Sequence, residues 1–415
     1  MCIRDRNITI RKNRITAAST QIDVKTAKAA LFPSLSFSTS QQVVNRPYQE
    51  TSSRVSGSEI ISSNSKTSYN GNYGLNASWT LYNGNKRLKT IQQEKLNNQV
   101  AELDVATSEN NIQESIAQVY IQILYAAESV KVNESTLQVS IAQRDRGQEL
   151  LNAGSIAKSD FAQLEAQVST DRYQLVTAQA TLEDYKLQLK QLLELDGENE
   201  MNIYLPALSD ENVLAPLPTK KDVYISALSL RPEIEASKLN VEASELGIGI
   251  AKSSYLPTIS LSAGIGTNHT SGSDFTFGEQ VKNGWNNSIG LSVSVPIFNN
   301  RQTKSAVQKA KLQYETSMLS LLDEQKTLYK TIEGLWLDAN SAQQRYAAAN
   351  EKLKSTQISY ELISEQFNLG MKNTIELLTE KNNLLQAQQE QLQAKYMAIL
   401  NTQLLKFYQG DQLAL

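Results

Sequence analysis

The sequence predicts an α+β chain in which one helix–strand–strand–long helix–helix unit occurs twice, giving four strands and two pairs of long helices. Three observations predict it: an internal duplication, strands that alternate apolar residues with small uncharged ones, and two helix-forming stretches too long for a compact globule. The duplication is read directly. GLNASWTLYNGNKR (Gly74 to Arg87) returns as GLSVSVPIFNNR at Gly290 to Arg301, 216 residues on. LNAGSIAKSD (Leu151 to Asp160) returns as FNLGMKNTIE (Phe367 to Glu376) at the same offset. AKAALFPSLSFS from Ala27 returns as AKSSYLPTISLS from Ala251, offset by 224, so a loop between the two strands of each half absorbs eight residues.

The first repeat spans 1–195. It comprises a helix from about Ile15 to Leu31, strands over about 33–45 and 69–82, a long helix over about 83–152 and a return helix over about 159–195. A Pro-rich link covers 196–231. The second repeat, 232–415, opens on Pro232, which suits a first helical turn. It continues through a helix to Tyr255, strands over about 256–267 and 285–298, a long helix over about 299–368 and a return helix over about 374–408.

In the strands Tyr73, Leu75, Ala77, Trp79 and Leu81 alternate with Asn, Gly, Ser and Thr. Ile259, Leu261 and Ala263 do the same, as do Ile289, Leu291, Val293 and Val295. Period two gives one apolar and one polar face. A polar face of Ser, Asn and Gly suits a barrel with lipid outside and water within, and equally an ordinary half-buried sheet. Strand length favours the barrel, since a tilted membrane strand needs ~9–11 residues. Aromatics Tyr73, Trp79, Tyr82, Trp285 and Phe298 sit near strand ends, where an interfacial girdle would be. Closed bacterial barrels begin at about eight strands, so membrane-spanning strands here would require several chains to share one barrel.

Between Gly84 and Gly147 there is no Gly or Pro, and between Arg301 and Leu369 only Gly334. Helices of about 70 residues would be on the order of 100 Å long. Ile112, Ile116, Val119, Ile123, Ala126, Val130 and Leu137 follow a heptad seam, repeated by Leu328, Ile332, Leu335, Ala339, Ala342, Tyr346 and Leu353. Gly154 and Gly370 are placed to end the helices left-handed and turn the chain back, which argues against a continuous filament. Ser159 is expected to cap the first return helix, with Asp160 at its positive end. Asn373 or Thr374 would cap the second, with Glu376 in its first turn.

Composition removes other classes. Lys plus Arg is 40 against 43 Asp plus Glu in 415 residues, so a basic nucleic-acid binder is not expected. One Cys and one His exclude a disulfide framework and a multi-His metal site. No apolar run approaches the ~18 residues of a membrane helix. MCIRDR has no apolar segment behind it, so the natural start, with its secretory signal, is expected to be missing, the first six residues foreign, and Cys2 incidental rather than lipidated. His269 in TNHTSG reads as a solvated loop histidine, and Gly247 and Gly249 as a close helix contact. Glu198 and Glu200 read as linker acids, and Lys95, Glu102, Asp104 and Glu109 as a solvated helix face.

The order of these segments, with WTLYNGNKR, VPIFNNR, SLRPEIEAS (Ser229 to Ser237), AKSSYLPTISLSAG (Ala251 to Gly264) and the two glycine turns, resembles the TolC-like outer membrane efflux proteins over residues 7 to 415. The resemblance implies an outer membrane channel of a tripartite pump or type I secretion system. It would be a homotrimer with a 12-stranded barrel in outer membrane lipid, continued by an antiparallel coiled-coil tunnel in the periplasm. The lipid-facing set would be Tyr73, Leu75, Trp79, Leu81, Ile259, Leu261, Ile289, Leu291, Val293 and Val295. The turns Gly154, Ser155, Ile156, Ala157 and Gly370, Met371, Lys372, Asn373 would form the periplasmic tip that meets a membrane-fusion adaptor protein and, through it, an inner-membrane transporter. Asp160, Lys372 and Glu376 match the family's entrance gate; a link from Lys372 to Asp160 would hold it closed. The family's second carboxylate falls on Thr379, with Glu380 one step away on another face. The loops Arg46 to Ser68 and Thr267 to Gly284 would be extracellular and mobile. No catalysis, cofactor or metal is expected. The alternative is a non-enzymatic coiled-coil scaffold with a small interaction sheet.

Overall fold

The structure, a computed structural model, describes residues 7–48, 52–56, 59–63, 66–195, 203–204, 213–273 and 275–413. Cys2, Glu198 and Glu200 therefore lie outside the described residues. In chain order the elements are α1 (Ile8–Ala29), β1 (Ser34–Asn45), β2 (Ser52–Ser56), β3 (Glu59–Ser63), β4 (Thr67–Asn83), α2 (Lys86–Asn152), α3 (Lys158–Leu192), α4 (Lys220–Leu230), α5 (Pro232–Ser253), β5 (Thr258–Thr270), α6 (Phe277–Asn283), β6 (Asn286–Ser294), α7 (Gln302–Asn368) and α8 (Thr374–Gln409). No described helix is long and apolar enough to cross a membrane.

The duplication holds at backbone level. α2 and α7 are both 67 residues long. The junction before each has two successive left-handed residues, Gly84 and Asn85 at φ 67° and 63°, and Asn300 and Arg301 at 50° and 63°. A Cβ on Gly84 would stand 2.8 Å from the Ser253 carbonyl oxygen, so only glycine fits the first of these junctions without a shift.

Compactness cuts across the repeats. Residues 18–99 and 239–319 form one unit. The described residues up to Ala17, those from Val100 to Lys238 and those from Ser320 onward form another. The first unit carries an antiparallel sheet in the order β1-β4-β5-β6, with β4 and β5 joining the two repeats. Leu35↔Ala77↔Ala263↔Ile289 lie in one row and Trp79↔Leu261↔Leu291 in the next. The register slips between Thr80 and Tyr82, so Leu81 is the extra residue of a β-bulge and Tyr82, not Leu81, stands opposite Ile259. Simple alternation through Leu81 therefore fails at this point. Val295 also falls outside its expected strand. β6 ends at Ser294, opposite Thr258, the first residue of β5 after Pro257, and Pro296 lacks the N–H to continue.

Other boundaries moved for local reasons. α1 starts at Ile8 rather than near Ile15 because the Asn7 side chain accepts from the N–H groups of Thr9 (2.9 Å) and Ile10 (3.3 Å). The link contains α4, capped by Thr219 accepting from the Asp222 N–H at 3.3 Å. The two loops contain the β2–β3 hairpin and α6, whose Thr276 and Glu279 form a capping box.

In the other unit the seam residues Ile123, Ala126, Leu137, Leu328, Ile332, Ala339, Ala342 and Tyr346 are buried. One cluster joins Ile121 and Leu124 to Ala342, Tyr346, Ala398 and Leu404; a second packs Val223 and Ala227 of α4 against Ile234, Ile332 and Leu405. The alanines let helix backbones approach closely.

Candidate functional site

Three places can act: the two-faced sheet, the turns between the long helices, and a charged cluster inside the helices. On the sheet, cross-strand pairing puts Phe37, Leu75, Trp79, Leu261, Ile289, Leu291 and Val293 on one face. Phe37 is 67% exposed, Ile289 83% and Leu291 64%. The opposite face is a lattice of small polar groups. Ser34 and Ser78 hydroxyls lie 2.8 Å apart, and the Asn72 and Asn76 amides donate to Ser40 and Ser38 at 3.3 Å. β1 and β6 each have one neighbour, leaving two edges of backbone donors and acceptors. The Trp79 indole N–H donates to the Leu31 carbonyl at 2.7 Å and ties this row to the end of α1.

His269 lies within β5, opposite Gly71, and not in a solvated loop. Its ring stacks on Tyr73 (6.2 Å between centroids) and meets Phe277 of α6 edge-on (5.2 Å). The Gln280 side chain accepts from the Thr270 N–H at 2.8 Å, so α6 is held on β5 by both contacts. Gly249 does make a close contact, since Lys89 Nζ donates to its carbonyl at 3.3 Å. Lys95, Glu102 and Asp104 are exposed, but Glu109 pairs with Arg14 at 3.1 Å and leaves the expected solvated face.

At the turns Gly154 and Gly370 both have φ of 74°. Ser155 and Met371 N–H groups bond to the Leu150 and Gln366 carbonyls at 2.8 Å, while Gly154 and Gly370 bond to Leu151 and Phe367. These are paired Schellman motifs. The α8 turn is built on Asn373, whose side chain accepts from the Glu376 N–H at 2.9 Å while Glu376 accepts from the Asn373 N–H at 3.2 Å. The first turn is weaker. Its N-cap is Ala157, which has no side-chain oxygen, so only the Asp160 half of the box forms, at 3.4 Å. Ser159, the expected cap, sits inside the helix.

Lys372 reaches Glu376 on its own turn, at 2.6 Å, rather than Asp160. Leu369, Met371 and Ile375 are 74%, 71% and 62% exposed around it, giving an apolar knuckle with one ion pair. The Glu376 carboxyl is held below its ordinary 4.5 by the Lys372 ammonium first and the Asn373 N–H next. A depressed carboxyl pKa contributes stability in full above 4.5, and the contribution is lost as pH falls through the lower folded value. The stability gap between the native chain and Glu376→Gln, read by thermal melting, is therefore expected to shrink between about pH 5 and pH 3. A gap independent of pH would overturn that assignment.

The sequence reading missed the third place. Lys381 of α8 and Asp171 of α3 form an ion pair at 3% and 1% side-chain exposure, and Ser140 of α2 bonds to both. Their signal was present as polar residues at heptad positions. Asp171 follows Leu164 and Val168, Lys381 follows Thr374 and Leu377, and Ser140 follows Asn133 and Leu137.

The sequence profile described as outer membrane efflux protein matches residues 3–194 and 223–410, one stretch per repeat. The chain belongs to this family. It is 24% identical over 294 residues to the outer membrane efflux protein BepC of Brucella suis biovar 1 (strain 1330), covering 70% of this chain and 61% of BepC. It is 23% identical over 311 residues to the outer membrane protein TolC of Escherichia coli (strain K12), covering 73% of this chain and 62% of TolC. The chain thus spans about three fifths of the length of these curated relatives. Its fold superposes on crystallised CusC with a TM-score of 0.82 at 18% identity, over 99% of this chain and 90% of that one. The two matched stretches each contain one Schellman turn and one strand-to-helix junction.

Proposed function

We propose that this chain is one subunit of a trimeric outer membrane channel, a passive export duct of a tripartite pump or type I secretion system, with no catalysis and no cofactor. One observation carries the reading: a four-stranded sheet exposes a continuous apolar face, backs it with serine and asparagine, and leaves both edges unpaired. Four strands cannot close, and lipid forbids open edges. Three copies joined β6 to β1 would give 12 strands with the apolar face to lipid and the serine face to water. CusC, with the same fold, is described as changing conformation on folding and forming a transmembrane channel.

The paired long helices would continue the barrel as a periplasmic tunnel. The turns at Gly154, Ser155, Ile156, Ala157 and Gly370, Met371, Lys372, Asn373 would form its end. Exposed Leu369, Met371 and Ile375 offer a periplasmic adaptor an apolar contact, and the adaptor would couple the duct to an energised inner-membrane transporter. Asp160, Lys372 and Glu376 would line the entrance. In the single chain Lys372 neutralises Glu376, so a link to Asp160 would have to come from a neighbouring subunit and exchange with this pair.

The test is the detergent-solubilised particle. It is expected to run as a trimer and to conduct in a planar bilayer, and Lys372→Ala/Asp160→Ala is expected to raise conductance several-fold. Unchanged conductance would remove the gate. A monomer soluble without detergent would remove the channel and leave the scaffold reading.

A further inference from the structure

The two repeats pair their own strands identically and differ at one place. Ser34↔Ser78 ends the β1–β4 ladder and Thr258↔Ser294 ends the β5–β6 ladder, and the duplication equates these two pairs. Beyond that point β4 runs on as strand to Asn83, whereas β6 stops at Ser294. The residues that follow are nevertheless duplicates, Trp79-Thr80-Leu81-Tyr82-Asn83 and Val295-Pro296-Ile297-Phe298-Asn299. What differs is the neighbour each has. Trp79 to Asn83 have outrun β1 and are held by β5 alone, through Trp79↔Leu261, Thr80↔Ser260, Tyr82↔Ile259 and Asn83↔Thr258. Val295 to Asn299 have outrun β5, and β6 has no strand on its other side. Val295, Ile297 and Phe298 are accordingly 58%, 96% and 82% exposed.

Pro296 does not forbid a strand here. The Ser271 N–H bonds to the Tyr69 carbonyl, so odd-numbered residues of β4 direct their backbone groups toward β5, and even-numbered ones, as far as Thr80, direct theirs away. Pro296 stands where Thr80 does, so its missing N–H would face the β5 side, where β5 has already ended, and the Val295 N–H faces the open edge. The strand that would serve Val295 and Phe298 as β5 serves Trp79 and Tyr82 is the duplicate of β5, which is β1. Its Leu35 and Phe37 match Ile259 and Leu261 and are 69% and 67% exposed on the other open edge of the sheet. Within one chain β1 and β6 stand three strand spacings apart, ~14 Å, so the β1 in question belongs to a second copy.

We propose that the seam between copies repeats the β4–β5 register, and that Val295 to Asn299 become strand only when the neighbour's β1 lies beside them. This rests on the channel reading and adds how its subunits meet. Asn76↔Gly264 becomes Ser292 opposite Ser40, Trp79↔Leu261 becomes Val295 opposite Phe37, and Tyr82↔Ile259 becomes Phe298 opposite Leu35, with Ile297 the extra residue of a second bulge. The apolar faces of both strands then stay on one side and the serine faces on the other. Alternation of faces and of hydrogen bonds also permits slips of two residues. The duplicated register is the one that gives Val295 and Phe298 the kind of partner that Trp79 and Tyr82 already have.

A serine ladder makes the register measurable. In a Cys2→Ala background, Ser292→Cys is combined in turn with Ser40→Cys, Ser38→Cys or Ser36→Cys, and outer membranes are oxidised with copper–phenanthroline. Ser292 and Ser40 would form a non-hydrogen-bonded pair with Cα atoms ~4.5 Å apart, inside the range a disulfide spans, whereas Ser38 would lie ~8 Å away. Ser292→Cys/Ser40→Cys is expected to yield a covalent trimer on non-reducing gels, and the other two at least tenfold less. A strongest link at Ser38 or Ser36, or none in a particle that still runs as a trimer, would overturn the register. A monomeric particle would instead remove the channel reading and the seam with it. Val295→Pro tests the ordering on assembly. Val295 lies beyond β6, so the change removes no ladder bond of the single chain. It is nevertheless expected to lower trimer recovery several-fold, because it deletes an N–H that the neighbour's β1 would use. Native recovery would mean that Val295 to Asn299 stay outside the sheet.

Discussion

Arg231→Met is expected to lower the stability of the helical unit by ~3–5 kcal/mol, the usual cost of leaving a buried charge without its partner. Arg231 is 5% exposed and sits where α4 gives way to α5. One guanidinium nitrogen donates to Glu114 of α2 at 2.9 Å, and another lies 4.0 Å from Glu233. Its plane covers the Tyr408 ring at 3.6 Å and the Phe407 ring at 4.8 Å. One side chain therefore joins the link, a long helix and the last turns of α8. Burial pushes the Glu114 carboxyl up, with Arg231 opposing it, and burial with the nearby Glu114 raises the Tyr408 hydroxyl to about 12. Without the guanidinium, Glu114 and Glu233 would face each other, both half-buried, with no cation between them. Arg231→Lys should recover only part of the loss, since an ammonium cannot stack on Tyr408 while forking between carboxylates. Arg231→Met/Glu114→Gln should be milder than the single change. Denaturant midpoints at fixed protein concentration check this, and a single-variant loss below about 1 kcal/mol would overturn it.

What could be read in the sequence follows from how local its cause is. α2 and α7 declared themselves because seven seam residues in each follow one heptad period and no Pro interrupts either helix. The left-handed turns at Gly154 and Gly370 followed from one residue type with one conformational freedom. At Leu81 strict alternation ends, because a bulge adds a residue without changing composition, and Leu81 and Tyr82 together oppose Ile259. α1 was placed late because its cap, Asn7, precedes a stretch with little apolar periodicity. His269 looked solvated because its polar neighbours hide a packing partner, Phe277, eight residues away on α6. Lys381 and Asp171 were legible one at a time as charges on a seam, but their pairing is a tertiary fact, 210 residues apart in sequence.

Leu291→Arg is expected to prevent stable insertion, whereas Ser292→Arg, one residue on, should insert and alter ion selectivity. The contrast follows from the pleat. Leu291 pairs with Leu261 and shares a row with Trp79, while Ser292 pairs with Ser260 on the other face. If the apolar face meets lipid, an arginine there costs ~2–4 kcal/mol near the bilayer midplane, and in a trimer it is incurred three times. Ser292 would face the water-filled lumen, where a charge remains hydrated and acts only on the ions that pass. Neither change removes a backbone–backbone bond of the ladder, and Ser292→Arg gives up only the hydroxyl's 3.4 Å bond to the Ser260 carbonyl, so strand pairing is common to both and the solvent on each face is the variable. The readout is the trimer recovered from the outer membrane fraction, followed by reversal potential in a salt gradient. Equal recovery of both variants would mean that neither face meets lipid, and loss of Ser292→Arg alone would mean that the sheet is inserted the other way round.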